Sequence, residues 1–231
     1  MRLACTNRDA ENKRYVPPPL GNGDLSFQID FEGGMGQQEF CGMVPGIHRA
    51  GFRYDTYDFE RVPFGYFEHT VAGCGKPTAW KQTLDPECGV CETCCDYRNG
   101  IRIESEVFCH LEHNIIAIRK RISGEGEIDS RFTYTLNARR MSVRISGAFR
   151  LDYAIDTVGE PAGSIFLLSP EKNETHVIDG HTFELRSSGR ELTFFLAFGE
   201  AEAELAGTLG YEGLLKTHLA AWKAFRDDSK I

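Results

Sequence analysis

Apolar and polar positions alternate along most of this chain with the two-residue period of a half-buried strand, and only its end changes to a helical period. Glu127–Leu136 shows the alternation best. Ile128, Phe132, Tyr134 and Leu136 all fall at even positions, so one face is expected to be buried. Further strands are predicted at Ala79–Leu84, Ile101–Leu111, Asn114–Ile122, Val143–Arg150, Tyr153–Val158, Ser164–Leu168, Thr182–Arg186 and Glu191–Phe198. Near the start, Pro17-Pro18-Pro19 forces an extended entry and Gly21-Asn22-Gly23 supplies a turn. Leu25–Phe31 then alternates as a strand. Residues 33–63 are Gly-rich and aromatic, with one or two short strands expected. Many short strands separated by turn signals predict a mainly β chain, a sandwich or a barrel. No period of 20 to 50 residues is visible, which argues against a propeller or solenoid.

From Tyr211 to Ile231 the pattern is that of one amphipathic helix. Leu214, Leu215, His218, Leu219, Trp222 and Phe225 share a face, while Lys216, Lys223, Arg226 and Asp227 fall largely elsewhere. A lone helix of this kind needs a surface. It either covers the flank of the β-domain or leads into a second domain, and the expected division is 1–208 for the β-domain and 209–231 for the helix. In a chain standing alone, Trp222 and Phe225 are expected to be partly exposed.

Composition narrows the function classes. The chain has 231 residues and a net charge of −8, with 41% apolar and 26% charged residues. That acidity argues against a nucleic-acid partner, because such binding needs clustered Lys and Arg. The short clusters Arg119-Lys120-Arg121 and Arg139-Arg140 read as solvated strand faces. No apolar run approaches the roughly 20 residues that cross a bilayer, and the polar N-terminus lacks a signal-peptide core, so no membrane and a cytoplasmic location are expected.

Three constellations are candidates for chemistry. Cys88, Cys91, Cys94 and Cys95 lie in CGVCETCC, and Cys88, Cys91 and Cys94 have spacings that can share a tetrahedral Zn²⁺, with Cys74 or Cys109 completing a site. The alternative is a loop of reduced thiols with no metal, since all four crowd one segment. In Ile101–Asn114, Glu104, Glu106, His110 and Glu112 share strand parity, and His113 follows. His110, His113 and Glu106 are therefore acid and base candidates, against the polar side of an ordinary strand. In Phe52–Phe67, Tyr54, Tyr57 and Tyr66 are candidates to stack on a sugar, against aromatics packed under a loop. No GxSxG, P-loop or GxGxxG context is present.

The segments PPLGNGDLSFQIDFEG, SEVFCHLEHNIIAIRKRI and HLAAWKAFRDDSKI, in that order, resemble the N-terminal β-sandwich domain of the superfamily of maltose and kojibiose phosphorylases and related inverting glycoside hydrolases. The resemblance implies a large two-sheet antiparallel sandwich of the galactose mutarotase-like supersandwich type, joined by linker helices to an (α/α)6 barrel. His218, Trp222, Phe225, Ser229 and Ile231 look like the linker that leads into that barrel, and Gly21-Asn22-Gly23-Asp24 shapes the first strand. In those relatives the general acid and most sugar contacts lie in the barrel. No catalytic residue is therefore carried over. The implied role is a non-catalytic domain of a carbohydrate-active enzyme, with carbohydrate and the downstream (α/α)6 domain as partners and with homodimer contacts as a further role. A mutarotase-like epimerase and a stand-alone sugar-binding module are the alternatives.

Overall fold

The alternating pattern resolves into antiparallel sheets in a computed structural model that describes residues 3–6, 15–35, 46–50, 61–136, 141–147, 149–155, 162–171 and 173–229. In chain order the strands are β1 (Leu3–Thr6), β2 (Pro19–Gly21), β3 (Leu25–Gln28), β4 (His48–Ala50), β5 (Arg61–Pro63), β6 (Tyr66–Val71), β7 (Ala79–Asp85), β8 (Val90–Asp96) and β9 (Arg102–Cys109). They continue as β10 (Ile115–Ser123), β11 (Ser130–Thr135), β12 (Met141–Gly147), β13 (Arg150–Ile155), β14 (Ala162–Leu168), β15 (Glu174–Asp179), β16 (Thr182–Ser187) and β17 (Glu191–Ala197). One helix, α1 (Glu200–Ser229), follows. A nine-stranded sheet runs β1-β7-β8-β9-β10-β17-β14-β13-β12, and two four-stranded sheets run β15-β16-β11-β6 and β2-β3-β4-β5.

The nine-stranded sheet and the β15-β16-β11-β6 sheet face each other as a sandwich. Each gives its alternate residues to the space between: Ile103, Val107, Ile116, Ile118, Phe194 and Leu196 from one, and Phe67, Phe132, Tyr134, Phe183 and Leu185 from the other. Phe132 is the hinge of this contact, stacked on Phe194 at 4.1 Å across the sheets and on Phe67 at 5.5 Å within its own. The third sheet closes one end, where Phe64 meets Tyr153 edge-on at 4.9 Å.

A turn after β3 enters the interior and brings polar backbone with it. Gln82 Nε2 donates to the carbonyls of Ile29 (3.2 Å) and Asp30 (2.6 Å), Cys95 Sγ donates to Phe31 O, and Lys120 Nζ donates to Glu32 O at 3.0 Å. Buried backbone carbonyls require partners, and three strands of the large sheet supply them. Lys120 is fully buried, and burial pulls its ammonium down to about 8, with Asp30, Cys95 and Glu32 pulling the other way.

Several expectations meet a different structure. The Cys88–Cys95 segment is not a loop: from Val90 it is β8, a central strand paired on both sides. Its sequence hides this because five of its seven residues are thiols or acids where valine, isoleucine or aromatic residues usually mark a strand. Strands β6 and β15 were also unmarked, whereas Glu127–Leu136 and Glu191–Phe198 match β11 and β17 closely. The helix begins at Glu200, eleven residues before Tyr211, and breaks at Gly210, whose φ of 61° and ψ of −173° separate two helical segments. The basic run does not form a patch, since alternation turns Lys120 inward and Arg119 toward α1, while Arg121 stays exposed; Arg139 and Arg140 lie outside the described residues. No helix among the described residues is long and apolar enough to cross a membrane.

Gly65, at φ +86°, joins β5 to β6 where a Cβ would sit 1.9 Å from Thr135 O. Gly65→Ala therefore combines a left-handed backbone with a backbone clash and should cost at least about 2 kcal/mol. A thermal melt should show Tm lowered by at least about 4–8 °C for a chain of this size, and an unchanged Tm would contradict the tight passage.

Candidate functional site

The outer face of the nine-stranded sheet carries both the helix and most of the candidate chemistry. Phe108, Ile115, Ala117, Phe195 and Ala197 point outward from β9, β10 and β17, and Ala206, Tyr211 and Leu214 of α1 bury against them. Tyr211, Leu214 and His218 repeat at three and four residues, so one turn after another meets the sheet. Each large side chain sealed this way contributes about 2 kcal/mol. Beyond His218 the helix rises from the surface. Trp222 is half-buried with its Nε1 donating to Pro86 O at 3.3 Å, and Phe225 is 55% exposed.

The residues singled out as acid and base candidates fasten this helix. Tyr211 OH donates to Glu106 Oε1 at 2.5 Å, Arg119 Nη2 donates to the same oxygen at 2.7 Å, and Arg119 also pairs with Glu212. Arg119 lies 4.1 Å from the centre of the Tyr211 ring, a cation–π contact. His110 is fully buried. Its Nδ1 accepts from Glu112 N and its Nε2 meets Thr217 Oγ1 at 2.9 Å, so the neutral Nε2–H form fits both partners. His218 repeats the arrangement, accepting from Leu111 N at Nδ1 and donating from Nε2 to Cys88 O at 2.6 Å. Burial, then the charges of His113 and His218, holds His110 down at about 4, and burial also lowers His218. His113 lies beside His110 with ring centres 4.9 Å apart.

The cysteine spacing does not gather a ligand set. Strand alternation sends Cys91 and Cys95 into the sandwich core and Cys94 to the opposite face, while Cys88 sits in the preceding turn under Trp222 and His218. Burial pushes the Cys95 thiol up to about 12 and raises Cys91 and Cys94. Among the described residues no group of three His, Cys, Asp or Glu is placed to hold a metal. Tyr54 and Tyr57 lie outside the described residues. Tyr66 stands on β6, half-buried against the core and opposite Thr135.

The Gly21–Asp24 turn is a hub between sheets. Asn22 Nδ2 donates to His110 O, His113 O and Asn114 Oδ1 at 3.0–3.2 Å, and Asn22 Oδ1 accepts from the amides of Asp24 and Leu25. Asp24 accepts from Asn114 Nδ2 at 2.7 Å and from Arg49 Nε, and Arg49 reaches Tyr153 OH. The turn therefore shapes more than its own hairpin, since it also anchors the 110–114 corner that lies under the helix.

One feature was not found from the sequence: a concavity of about 360 Å³ on the outer face of β7, β8, β9 and β10, beside the helix. Register sets its floor in two rows, Thr83-Glu92-Glu106-Arg119 and Lys81-Cys94-Glu104-Arg121. Carboxylates occupy the middle, and cations stand at one or both ends. The signal was present as charged residues two apart on each strand, but it could be read only once β8 was known to be a strand between β7 and β9.

Acid should loosen the helix. A histidine whose pKa falls on folding contributes stability that is complete above its unfolded pKa of about 6.5 and is lost as pH drops through the folded value. For His110 that window runs from about 6.5 to about 4. With Trp80→Phe removing the buried tryptophan, Trp222 emission should report an exposed indole as pH falls through this range, and His110→Gln should reduce the change. Emission constant from pH 7 to 4 would contradict the arrangement.

No protein-family model matches the chain and no curated protein matches it in sequence. Solved structures match in fold. A protein from the human microbiome assigned as a kojibiose phosphorylase is 12% identical with a TM-score of 0.59, covering 90% of this chain and 35% of its own. A bacterial glucoamylase in complex with acarbose is 11% identical with a TM-score of 0.53, covering 92% of this chain and 38% of its own. The chain thus spans little more than a third of the length of the structures it matches. At this identity the likeness is one of fold, and the fold is the antiparallel β-sandwich with a closing helix that forms part of these two enzymes.

Proposed function

We propose that this chain is the non-catalytic sandwich domain of a carbohydrate-active enzyme of the glycoside phosphorylase or glycoside hydrolase kind, with the bond-breaking chemistry carried by a downstream helical domain. The observation that supports it most is the coverage: nine-tenths of this chain superposes on about a third of a kojibiose phosphorylase and of a glucoamylase. The chemistry of the outer face agrees. An inverting hydrolysis needs one protonated carboxyl and one free carboxylate facing a sugar, and an inverting phosphorolysis needs the protonated carboxyl with phosphate opposite it. Glu106 is instead engaged by Tyr211 and Arg119, and His110 is sealed beneath Thr217. The same engagements disfavour a mutarotase-like epimerase built on His110, His113 and Glu106, because a general acid or base must reach its substrate. In the proposed enzyme this domain supports the active-site rim or a homodimer contact, and α1 is the segment that leads toward the catalytic domain.

Residues 1–231 alone should show no hydrolysis of maltose or kojibiose, no phosphorolysis with inorganic phosphate, and no acceleration of glucose anomer interconversion over buffer. Turnover of a glycoside would overturn the reading, and accelerated interconversion would replace it with the epimerase. The coding sequence downstream of Ile231 gives an independent check: an in-frame helical domain is expected.

A further inference from the structure

The concavity beside α1 includes groups that the helix does not use. Glu106 and Arg119 are committed to Tyr211 and Glu212, but the second row, Lys81, Cys94, Glu104 and Arg121, faces open solvent along with Glu92. The side chains of Lys81 and Glu92 make no hydrogen bond or ion pair among the described residues. Arg121 approaches Glu191 only to 4.0 Å, and Glu104 meets Arg102 at 3.3 Å with both half-exposed. Exposed pairs of this geometry contribute little, so their donors and acceptors remain available.

The arrangement has a definite chemical preference. Acceptors occupy the middle of the floor and donors its ends, with strands about 4.8 Å apart, so the pattern extends over three strand spacings. A sugar hydroxyl donates and accepts at once, and successive hydroxyls on a ring can meet carboxylates and then guanidinium or ammonium groups across such a floor. A charged ligand has less to gain, because Lys81, Arg102, Arg119 and Arg121 are nearly balanced by Glu92, Glu104 and Glu106. The volume of about 360 Å³ lies at the small end of the range for ligand sites. We infer that this groove on the outer face of β7–β10 is a binding site for a neutral mono- or disaccharide, held by Lys81, Glu92, Glu104 and Arg121 with Cys94 at its floor. For the choice of a sugar among polyhydroxylated ligands the inference rests on the function proposed above.

Cys94 makes the test direct, because its half-buried thiol lies under the ligand. The chain of residues 1–231 is treated with iodoacetamide at mildly alkaline pH over a range of maltose concentrations, and alkylation is read at each cysteine by peptide mass spectrometry. Maltose should slow alkylation of Cys94 saturably and leave Cys74, in the turn after β6 beside Asn99 and outside the groove lining, unchanged. Glu104→Gln with Arg121→Gln removes two charged hydrogen-bonding groups from exposed positions, and circular dichroism should be unaltered. The maltose concentration giving half-protection should rise at least about tenfold, as expected for losing about 1.4 kcal/mol or more. No slowing at Cys94, or slowing that the double variant leaves intact, would overturn the inference. Either result is separate from the function proposed above: an unprotected Cys94 in a chain that is inactive alone leaves that reading standing, and glycosidic turnover would remove it without altering what Cys94 reports.

Discussion

The centre of the nine-stranded sheet is apolar on both faces, and the rest of the molecule follows from covering them. In β17 every residue from Leu192 to Ala197 is buried, and in β10 Ile115, Ile116, Ala117 and Ile118 are all buried in succession. A half-exposed antiparallel strand alternates, whereas one covered on both sides does not. The second sheet covers one face through Phe132 and Phe194. The other face is covered, among the described residues, by α1, which supplies that layer with Ala206, Tyr211 and Leu214. The terminal helix is therefore a third layer of the fold as well as the chain's last element. Its exposed end, with Phe225, begins where the apolar strip of the sheet stops.

Covering a sheet with a helix places polar strand ends and helix side chains in a dry seam. That explains why the residues that look most like catalytic groups have lost their freedom. Glu106, Arg119, His110 and His218 each satisfy a donor or acceptor that burial would otherwise orphan, and their neutral or paired states are those the seam selects. The interior of the sandwich shows the same logic at Lys120, Gln82 and Cys95, whose side chains end the hydrogen bonds of an inserted turn. A depressed histidine and a buried lysine are common signs of a functional site; here His110 meets Thr217 in the seam and Lys120 donates to Glu32 O in the core.

Period-two alternation was legible wherever one face of a strand was wet and the other dry, as at Glu127–Leu136. It failed for β8, because Cys91, Thr93 and Cys95 are inward residues without the usual apolar size, while the spacing of Cys88, Cys91 and Cys94 reads as a candidate metal set. The two-sided burial of β10 and β17 was visible as the runs Ile115–Ile118 and Leu192–Ala197, yet a continuous apolar run does not say what lies on its second face. The helical face Leu214, His218 and Trp222 was read correctly, although Leu219 is 40% exposed and the segment before Gly210 carried no clear period. The GNGD turn was recognised as a turn. Its reach to His110, His113, Asn114 and Arg49 is a matter of sequence-distant contacts, 25 to 92 residues away, that no local pattern encodes. The groove was hidden for the same reason, since its floor is a product of register among four strands.

Glu106 and Arg119 belong to two surfaces at once. They end one row of the groove floor and also hold Tyr211 and Glu212 of the helix. A ligand that donated to Glu106 Oε1 would compete there with Tyr211, so occupancy of that oxygen and helix docking would oppose each other, and by linkage the opposition would be mutual. A ligand confined to the Lys81-Cys94-Glu104-Arg121 row avoids that cost and leaves the seam closed. The row nearer the solvent is thus where binding is compatible with the fold, and the row nearer the helix is where the fold keeps its own polar groups satisfied.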